Sequence, residues 1–197
     1  MKTCLEIGHM RLRPLEEGDL QTLYVWRNES NFLSLFSPRR TVVSYEKFVA
    51  EHKRDMERER HLQFIVEIVG RNRVLGTIYS YNLNLVDGHV FMGGYMPKDT
   101  RELGYGAISC ALYISYLFEF FPLHKIYFEA LGYNKYSLPL LQNFGFIEEG
   151  RFKEHRFYDG GRHDLIRMAV YRDGLGKIQS LLARLSKRYS KRSDSLL

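Results

Sequence analysis

The chain has 197 residues, is 45% hydrophobic and carries a formal net charge of +6, which suits one domain, or one domain and a tail. Cys4 and Cys110 are too few for a disulfide framework, and residues 1–6 are not followed by the apolar run of a signal peptide. Six basic residues against one acid lie between Lys177 and Leu197, so the body is nearly neutral and its bulk charge does not mark a nucleic-acid binder.

In chain order, residues 10–15 alternate apolar and basic side chains and predict a first strand. Residues 16–18 lead into a helix over 19–27, with Leu20, Leu23 and Tyr24 at helical spacing. Residues 28–40 read as a polar and aromatic loop. Ser44 caps a second helix carried by 46–58. Strands follow over 62–69, 74–83 and 89–96, separated by a turn at 70–73 and an Asp87-Gly88 hairpin signal, and together make an antiparallel meander. A glycine-opened helix over 104–121 is strongly apolar. Ser109, Ser115 and Glu119 interrupt its apolar run, which makes it a core helix rather than a membrane span, and the expected location is cytoplasmic. A strand over 125–131 and a short helix over about 134–143 come next, with Gly145 as a left-handed cap. A long strand over 146–158, a tight turn at 159–161 and a return strand over 163–171 complete the body. Strand–helix–strand requires a crossover, so the strands flanking the glycine helix are expected to be parallel. The fold class is therefore α+β: a mixed, mostly antiparallel sheet with one central parallel pair, flanked by helices. The ligand cleft belongs at that pair.

The segment Arg101-Glu102-Leu103-Gly104-Tyr105-Gly106-Ala107 carries the chemistry. A helix start presents unpartnered amides and the positive end of the dipole, and glycines let a ligand reach the bare backbone. That combination binds phosphate. A Rossmann site would need a third glycine where Ser109 stands and a mainly parallel sheet. A P-loop would need Gly-Lys-Ser/Thr after the loop, and the chain has none.

R-x-x-G-x-G-A after an antiparallel meander resembles the acyl-CoA loop of the GNAT superfamily of N-acetyltransferases. His124-Lys125-Ile126-Tyr127-Phe128-Glu129 resembles that family's fifth strand. Asn134-x-x-Ser137 with Leu140, then Asn143-Phe144-Gly145-Phe146, is similar to its fourth helix and exit. Leu12-Arg13-Pro14-Leu15 with Asp19-Leu20 is similar to its first strand and helix. The resemblance covers residues 10–172. It implies the GNAT fold, with the parallel pair splayed around acyl-CoA. It also implies transfer of an acetyl group from acetyl-CoA to a primary amine by direct attack, without a metal. The amides of Leu103, Gly104, Tyr105, Gly106 and Ala107, with Arg101, would hold the CoA diphosphate. The strand end at Tyr95 and Met96 would hydrogen-bond the pantetheine arm, and Asn134 would face it across the cleft while capping its own helix.

The chain departs from the family at two positions. Many members carry a Tyr as thiol acid where Leu141 stands, and a Glu acting through water at about Met92. Ser137, on the Asn134 face, and Glu129 are the substitute catalytic candidates, with Tyr79, Tyr81 and His89 also in reach. Deprotonation through ordered water, with no single essential base, is the other route. The branch resembled is that of ribosomal-protein N-terminal, polyamine and amino-sugar acetyltransferases, on Trp26-Arg27-Asn28, the turn 159–162 and Ile166-Arg167-Met168. Trp26, Arg27, Tyr79 and Tyr81 are the expected acceptor contacts. No dense acidic cluster is seen beyond pairs such as Glu148-Glu149 and Glu57/Glu59, so the acceptor is left as a small-molecule or peptide amine. The rival from another class is a non-catalytic acyl-CoA-binding or interaction module.

The expected division is a domain over 1–176 and a tail over 177–197. In the tail Ile178, Leu181, Leu182, Leu185 and Tyr189 form one helical stripe, with the basic residues mostly off it. Two readings stand: a terminal helix packed on the body or on a homodimer partner, and a basic face for RNA, ribosome or anionic lipid. Residues 190–197 are expected to be disordered.

Overall fold

Alternation buries Met10 and Leu12 and turns Arg11 and Arg13 outward, which makes β2 (Met10–Pro14), preceded by the two-residue β1 (Glu6–Ile7). The computed structural model describes residues 5–36, 40–57, 62–71, 73–101 and 104–193, with only the backbone of residues 101 and 188–193. The meander is β3 (Leu62–Ile68), β4 (Arg73–Asn84) and β5 (His89–Tyr95); β6 (Lys125–Leu131), β7 (Ile147–Tyr158) and β8 (Gly161–Tyr171) follow. Together the eight strands form one sheet in the order β1-β2-β3-β4-β5-β6-β8-β7, and β5–β6 is its parallel pair.

Two helical layers cover the sheet. On one face lie α1 (Leu20–Arg27), α2 (Ser30–Leu35) and α3 (Tyr45–Glu57), over a core of Leu23, Trp26, Phe48, Ile65 and Tyr95. After the single turn α4 (Lys98–Arg101), the other face receives α5 (Tyr105–Phe120), α6 (Ser137–Asn143) and α7 (Leu175–Ser193). Ile108, Ile114, Leu117 and Phe118 of α5 meet Val90, Met92 and Ile126 of the sheet there, and Ile178 of α7 is fully buried.

Three expectations need correction. The loop expected over 28–40 contains α2. Its Phe32 and the adjoining Phe36 pack edge-on against Tyr95 at 5.1 and 5.2 Å, so tertiary contact makes a helix that local propensity does not announce. The helix expected from 134 starts at Ser137, because Asn134 accepts the amides of Tyr136 and Ser137 (3.1 and 3.2 Å) and spends those residues on an Asx cap. The tail helix runs on to Ser193, past the Ser190 at which order was expected to end; Ser190–Ser193 holds no Gly or Pro to stop it.

An ion-pair network anchors α1 to the sheet. Arg13 donates to both oxygens of Asp19 (2.7 Å each) and to Glu67 (2.7 Å), and Arg11 also pairs with Glu67. Asp19 additionally accepts the amide of Glu16 at 2.9 Å. Burial works to raise both carboxyls, but the guanidiniums hold Asp19 and Glu67 below the ordinary carboxylate range. A depressed folded-state pKa gives stability that is present above the unfolded value and lost as pH falls through the folded one. Asp19→Asn should therefore cost about 1–3 kcal/mol at neutral pH. Its deficit against wild type should shrink well below pH ~4. Denaturant unfolding of both proteins at neutral and acidic pH measures this, and a pH-independent difference would refute it.

Candidate active site

The site begins where a ladder stops. β5 and β6 pair at His89↔Lys125, Val90↔Ile126 and Phe91↔Tyr127, and the pairing ends there. Each strand stays bonded to its outer neighbour: β5 to β4 as far as Tyr95, and β6 to β8 as far as Leu131. The sheet is therefore whole at its flanks and open in the middle. β4 carries an irregularity between Tyr81 and Asn84, with Asn82 at φ +51°, and such bulges increase local twist. Gly88 accepts the Lys125 amide at 3.1 Å, so two-residue alternation turns the N–H and C=O of Gly94 toward the gap.

Gly104 caps α5 at φ +80°, a left-handed conformation that glycine adopts without strain. The amide of Ala107 already bonds the Gly104 carbonyl at 3.2 Å, and the first turn faces the opened strands. At Gly106 a Cβ would lie 3.4 Å from Met96 Cγ, so the missing side chain keeps the backbone bare on that side. A cavity of about 260 Å³ lies here, with Gly94, Met96, Gly104, Gly106, Asn134 and Ser137 on its walls. It touches a second cavity of about 720 Å³ on the α2–α3 face through Phe36, Met92, Gly93, Phe128 and Asn134. Asp55, Tyr79, Tyr81, Glu129 and Arg156 line that second space. A third, of about 380 Å³, continues under α1 past Trp26 and Arg27 and shares Tyr79 and Asp55. The cleft thus passes through the sheet at the point where the parallel ladder ends. Its narrow apolar half, bare backbone and helix start fit an extended amide-bearing arm with a diphosphate at its end.

The expected cofactor contacts divide. Gly104, Gly106, Ala107, Met96 and Asn134 come together around the narrow cavity. The Tyr95 side chain does not: it is fully buried on the opposite face against Trp26, and its hydroxyl donates to Glu29. Its neighbours Gly94 and Met96 line the cleft instead. Tyr105 meets His9, hydroxyl to Nε2, at 3.3 Å. Leu103 and the Arg101 side chain lie outside the described residues.

Of the catalytic candidates, Ser137 accepts Asn134 Nδ2 at 2.9 Å and belongs to the cap. Glu129 lines the wide cavity, where its Oε1 accepts two bonds from Arg167 at 2.6 and 3.0 Å. Register places these two opposite each other on β6 and β8. Leu141 and Met92, at the two positions where the family pattern differs, are both 1% exposed and belong to the core. Tyr79 and Tyr81 stand on the wide cavity, and burial raises both phenols, so each stays protonated. The Tyr79 ring covers Gly93 so closely that a Cβ there would lie 2.9 Å from its hydroxyl oxygen. Trp26 and Arg27 line the third cavity; Trp26 packs on Tyr95 and Arg27 donates to the Thr41 carbonyl at 3.2 Å. Burial pushes the Cys110 thiol up to about 12, which leaves it a packing residue on the cavity wall.

Sequence reasoning missed Asp55. It shares the inner face of α3 with Glu51, one helical turn before it, and a polar helix face gives no sign of whether it meets water or a cavity. It also missed Arg156, which a second irregularity, between Phe152 and Arg156 in β7, leaves partly buried at the cavity.

Among the described residues no helix is long and apolar enough to cross a membrane, and no group of three or more His, Cys, Asp or Glu is placed to hold a metal. A profile of the acetyltransferase (GNAT) domain matches residues 9–147. The chain is similar to the spermidine N(1)-acetyltransferase of Vibrio cholerae serotype O1, 26% identical over 165 residues that cover 83% of this chain and 93% of that protein. It is also similar to the putative ribosomal N-acetyltransferase YdaF of Bacillus subtilis, 29% identical over 91 residues, 46% of this chain and 50% of that one. Among solved structures, the Vibrio cholerae spermidine N-acetyltransferase in complex with CoA and spermine superposes with a TM-score of 0.78 at 22% identity, covering 85% of this chain and 98% of that one. RimL, a ribosomal L7/L12 alpha-N-protein acetyltransferase in complex with coenzyme A, superposes at 0.74 and 16%, covering 86% and 99%. Both likenesses show the same fold. Nothing in these findings favours the non-catalytic rival. The fold, the opened parallel pair and the profile match agree: this chain belongs to the acetyltransferase (GNAT) family and is an acyl-CoA-dependent N-acetyltransferase.

Proposed function

We propose that the acetyl-CoA arm occupies the narrow cavity and that a primary amine, from a small molecule or a peptide N-terminus, enters through the wide one. The observation that carries this reading is the opening of the sheet after Phe91 and Tyr127, with a left-handed glycine starting a helix over the gap. The first turn of α5 binds the diphosphate through the amides of Gly104, Tyr105 and Gly106, with Ala107 already bonded to the Gly104 carbonyl, and the edge of Gly94 takes the amides of the arm. Acetyl-CoA supplies the acetyl group as a thioester, whose carbon–sulfur bond breaks as the amine nitrogen bonds to the carbonyl carbon.

The chain's own groups position and screen. Asp55 and Glu129 give the wide cavity a negative component that favours an ammonium, while Arg167 keeps Glu129 engaged. An ammonium has a pKa of roughly 10.4 and must lose a proton before it attacks. Glu129 is committed to Arg167 and Ser137 to its cap, so that proton leaves through water rather than to a dedicated base. The Tyr79 hydroxyl, kept protonated by burial, donates toward the reacting centre. Rate comes chiefly from holding both reactants in one cleft.

The relatives act on spermidine and, for RimL, on a ribosomal protein. Here the carboxylates of the acceptor side are interleaved with Arg27, Arg54 and Arg156. That mixed lining favours an acceptor presenting one amine over a polycation lying along an acidic trough.

Calorimetric titration with acetyl-CoA, followed by thiol release over a panel of polyamines, amino sugars and N-terminal peptides, tests the reading. Binding without release on any amine would overturn it. Gly104→Val should weaken acetyl-CoA binding by roughly a hundredfold or more, because a β-branched residue resists the left-handed conformation and fills the approach. Its far-UV circular dichroism should stay native. Glu129→Gln, Ser137→Ala and Tyr79→Phe should each lower kcat by less than about a hundredfold. One variant that drops kcat about ten-thousandfold with acetyl-CoA binding intact would reveal a dedicated base and refute the water route.

A further inference from the structure

Arg167 is held by rings as well as by its ion pair. Its guanidinium lies over Phe91, Tyr127 and Phe152, at 5.0, 5.7 and 5.6 Å from the ring centres. Rings from three different strands therefore fix where it points. From there Nε and Nη2 both donate to one carboxylate oxygen, Oε1 of Glu129, at 3.0 and 2.6 Å. A guanidinium fork often engages both oxygens of a carboxylate. Here both bonds go to one, and among the described residues no donor meets Oε2. The Glu129 side chain is 25% exposed and lines the wide cavity.

The place of that oxygen follows from register. Phe91↔Tyr127 is the last row in which β5 and β6 pair. Two residues further along, on the same face, β5 carries Gly93 and β6 carries Glu129. Glu129 is thus the first residue of β6 past the parting that faces the acceptor side. Gly93, Met92 and Phe128, at the same level, line both the narrow and the wide cavity. Leu131 and Leu165 add apolar wall, which suits an alkyl stem. Asp55, the other carboxylate on this cavity, stands on α3 and is exposed. An ion pair has no net charge and attracts a distant cation weakly. At contact it is a dipole, and the unpaired oxygen is its negative end.

We infer that Oε2 of Glu129 binds the nitrogen of the acceptor amine, and that Arg167, fixed by its three rings, is the positioning residue that aims it. This deepens the proposed function and rests on the amine entering through the wide cavity. One ammonium N–H bonds to Oε2, the proton that leaves goes to water, and the nitrogen is held at the passage where the thioester of the arm arrives. The acceptor class is a primary amine on an apolar stem.

The probes are n-alkylamines from butyl to octyl and the n-alkanols of the same lengths. Titrated calorimetrically into the CoA-bound protein, the best amine should bind about tenfold or more tighter than its alkanol, the scale of one charge-assisted contact. Glu129→Gln should bring that ratio close to one while CoA affinity holds. Arg167→Met removes the clamp and leaves the carboxylate charged. Amine binding should then hold within about threefold while kcat for thiol release from acetyl-CoA falls about tenfold. Arg167→Lys should recover part of that kcat, which separates aiming from misfolding. Amines that bind no better than the alkanols would overturn the inference. So would a preference that survives Glu129→Gln, one that disappears instead in Asp55→Asn, or an unchanged kcat in Arg167→Met. An amine preference lost in Glu129→Gln, with no thiol release on any amine, would uphold the nitrogen site while removing the acetyl-transfer reading.

Discussion

The rest of the structure depends on the parting of β5 from β6 beyond Phe91 and Tyr127. An interior edge that faces no strand exposes backbone amides and carbonyls, and each such group left unpaired away from water costs about 1–3 kcal/mol. The fold keeps the edge open by holding both strands from outside, where β4 and β8 stay paired to the strand ends. Side chains also wedge the gap. Met92 and Phe128 fill the floor shared by the two cavities, and Tyr79 lies across Gly93. The opening is therefore a preformed polar edge in an apolar wall. A peptide-like arm of amides fits it better than a lipid or a flat ring system does, since only the arm can return the missing hydrogen bonds.

The same opening sorts the chemistry by face. Strand alternation sends Val90 and Met92 toward α5 and Phe91 and Tyr95 toward α1–α3, so the apolar half and the polar half of the cleft come from one strand. On the polar face Phe91 stacks on Tyr127 at 4.8 Å and Arg167 lies over Phe91 at 5.0 Å, which brings Arg167 within reach of Glu129. That ion pair follows from register, not from the demands of a proton relay. With Leu141 and Met92 given over to packing, two positions often assigned to proton transfer in this family hold carbon. Under the proposed water route, catalysis leans on orientation and on dipoles fixed by the fold, terms that need no titrating side chain.

How much of this was legible in the sequence depends on the range of the cause. β6 was readable to the residue, since Lys125–Leu131 alternates and is bounded by Pro122 and Gly132. Gly104 and Gly145 were readable because each sits at a left-handed φ, +80° and +86°, that few other residues tolerate. α2 was not, because its aromatics gain only by packing on Tyr95, far along the chain. The inward aim of the Tyr95 side chain was within reach, since alternation from Gly93 puts it on the α1 face. Asp55 and Arg156 were not, since a charge on an amphipathic surface reads as solvated until the tertiary fold supplies the facing wall.

The tail illustrates the opposite dependence, of the core on a terminal segment. α5 is apolar nearly all round, with ten of its sixteen residues buried, and a helix of that kind must be covered on every side. The sheet covers one side only. α7 supplies the other through Ile178, fully buried, with Leu181, Leu182 and Leu185 beside it. Each such side chain contributes about 1.5–3 kcal/mol when fully buried, a large share of an ordinary domain's net stability of roughly 5–15 kcal/mol. α5 and its cap also carry Gly106 and Gly104, which line the narrow cavity, so the packing of α7 steadies that turn from behind. From Ile178 to Leu185 the apolar stripe of the tail is thus committed to the body, and the basic residues Lys177, Arg184 and Lys187 are left to the outer surface by the same helical periodicity that buries Ile178.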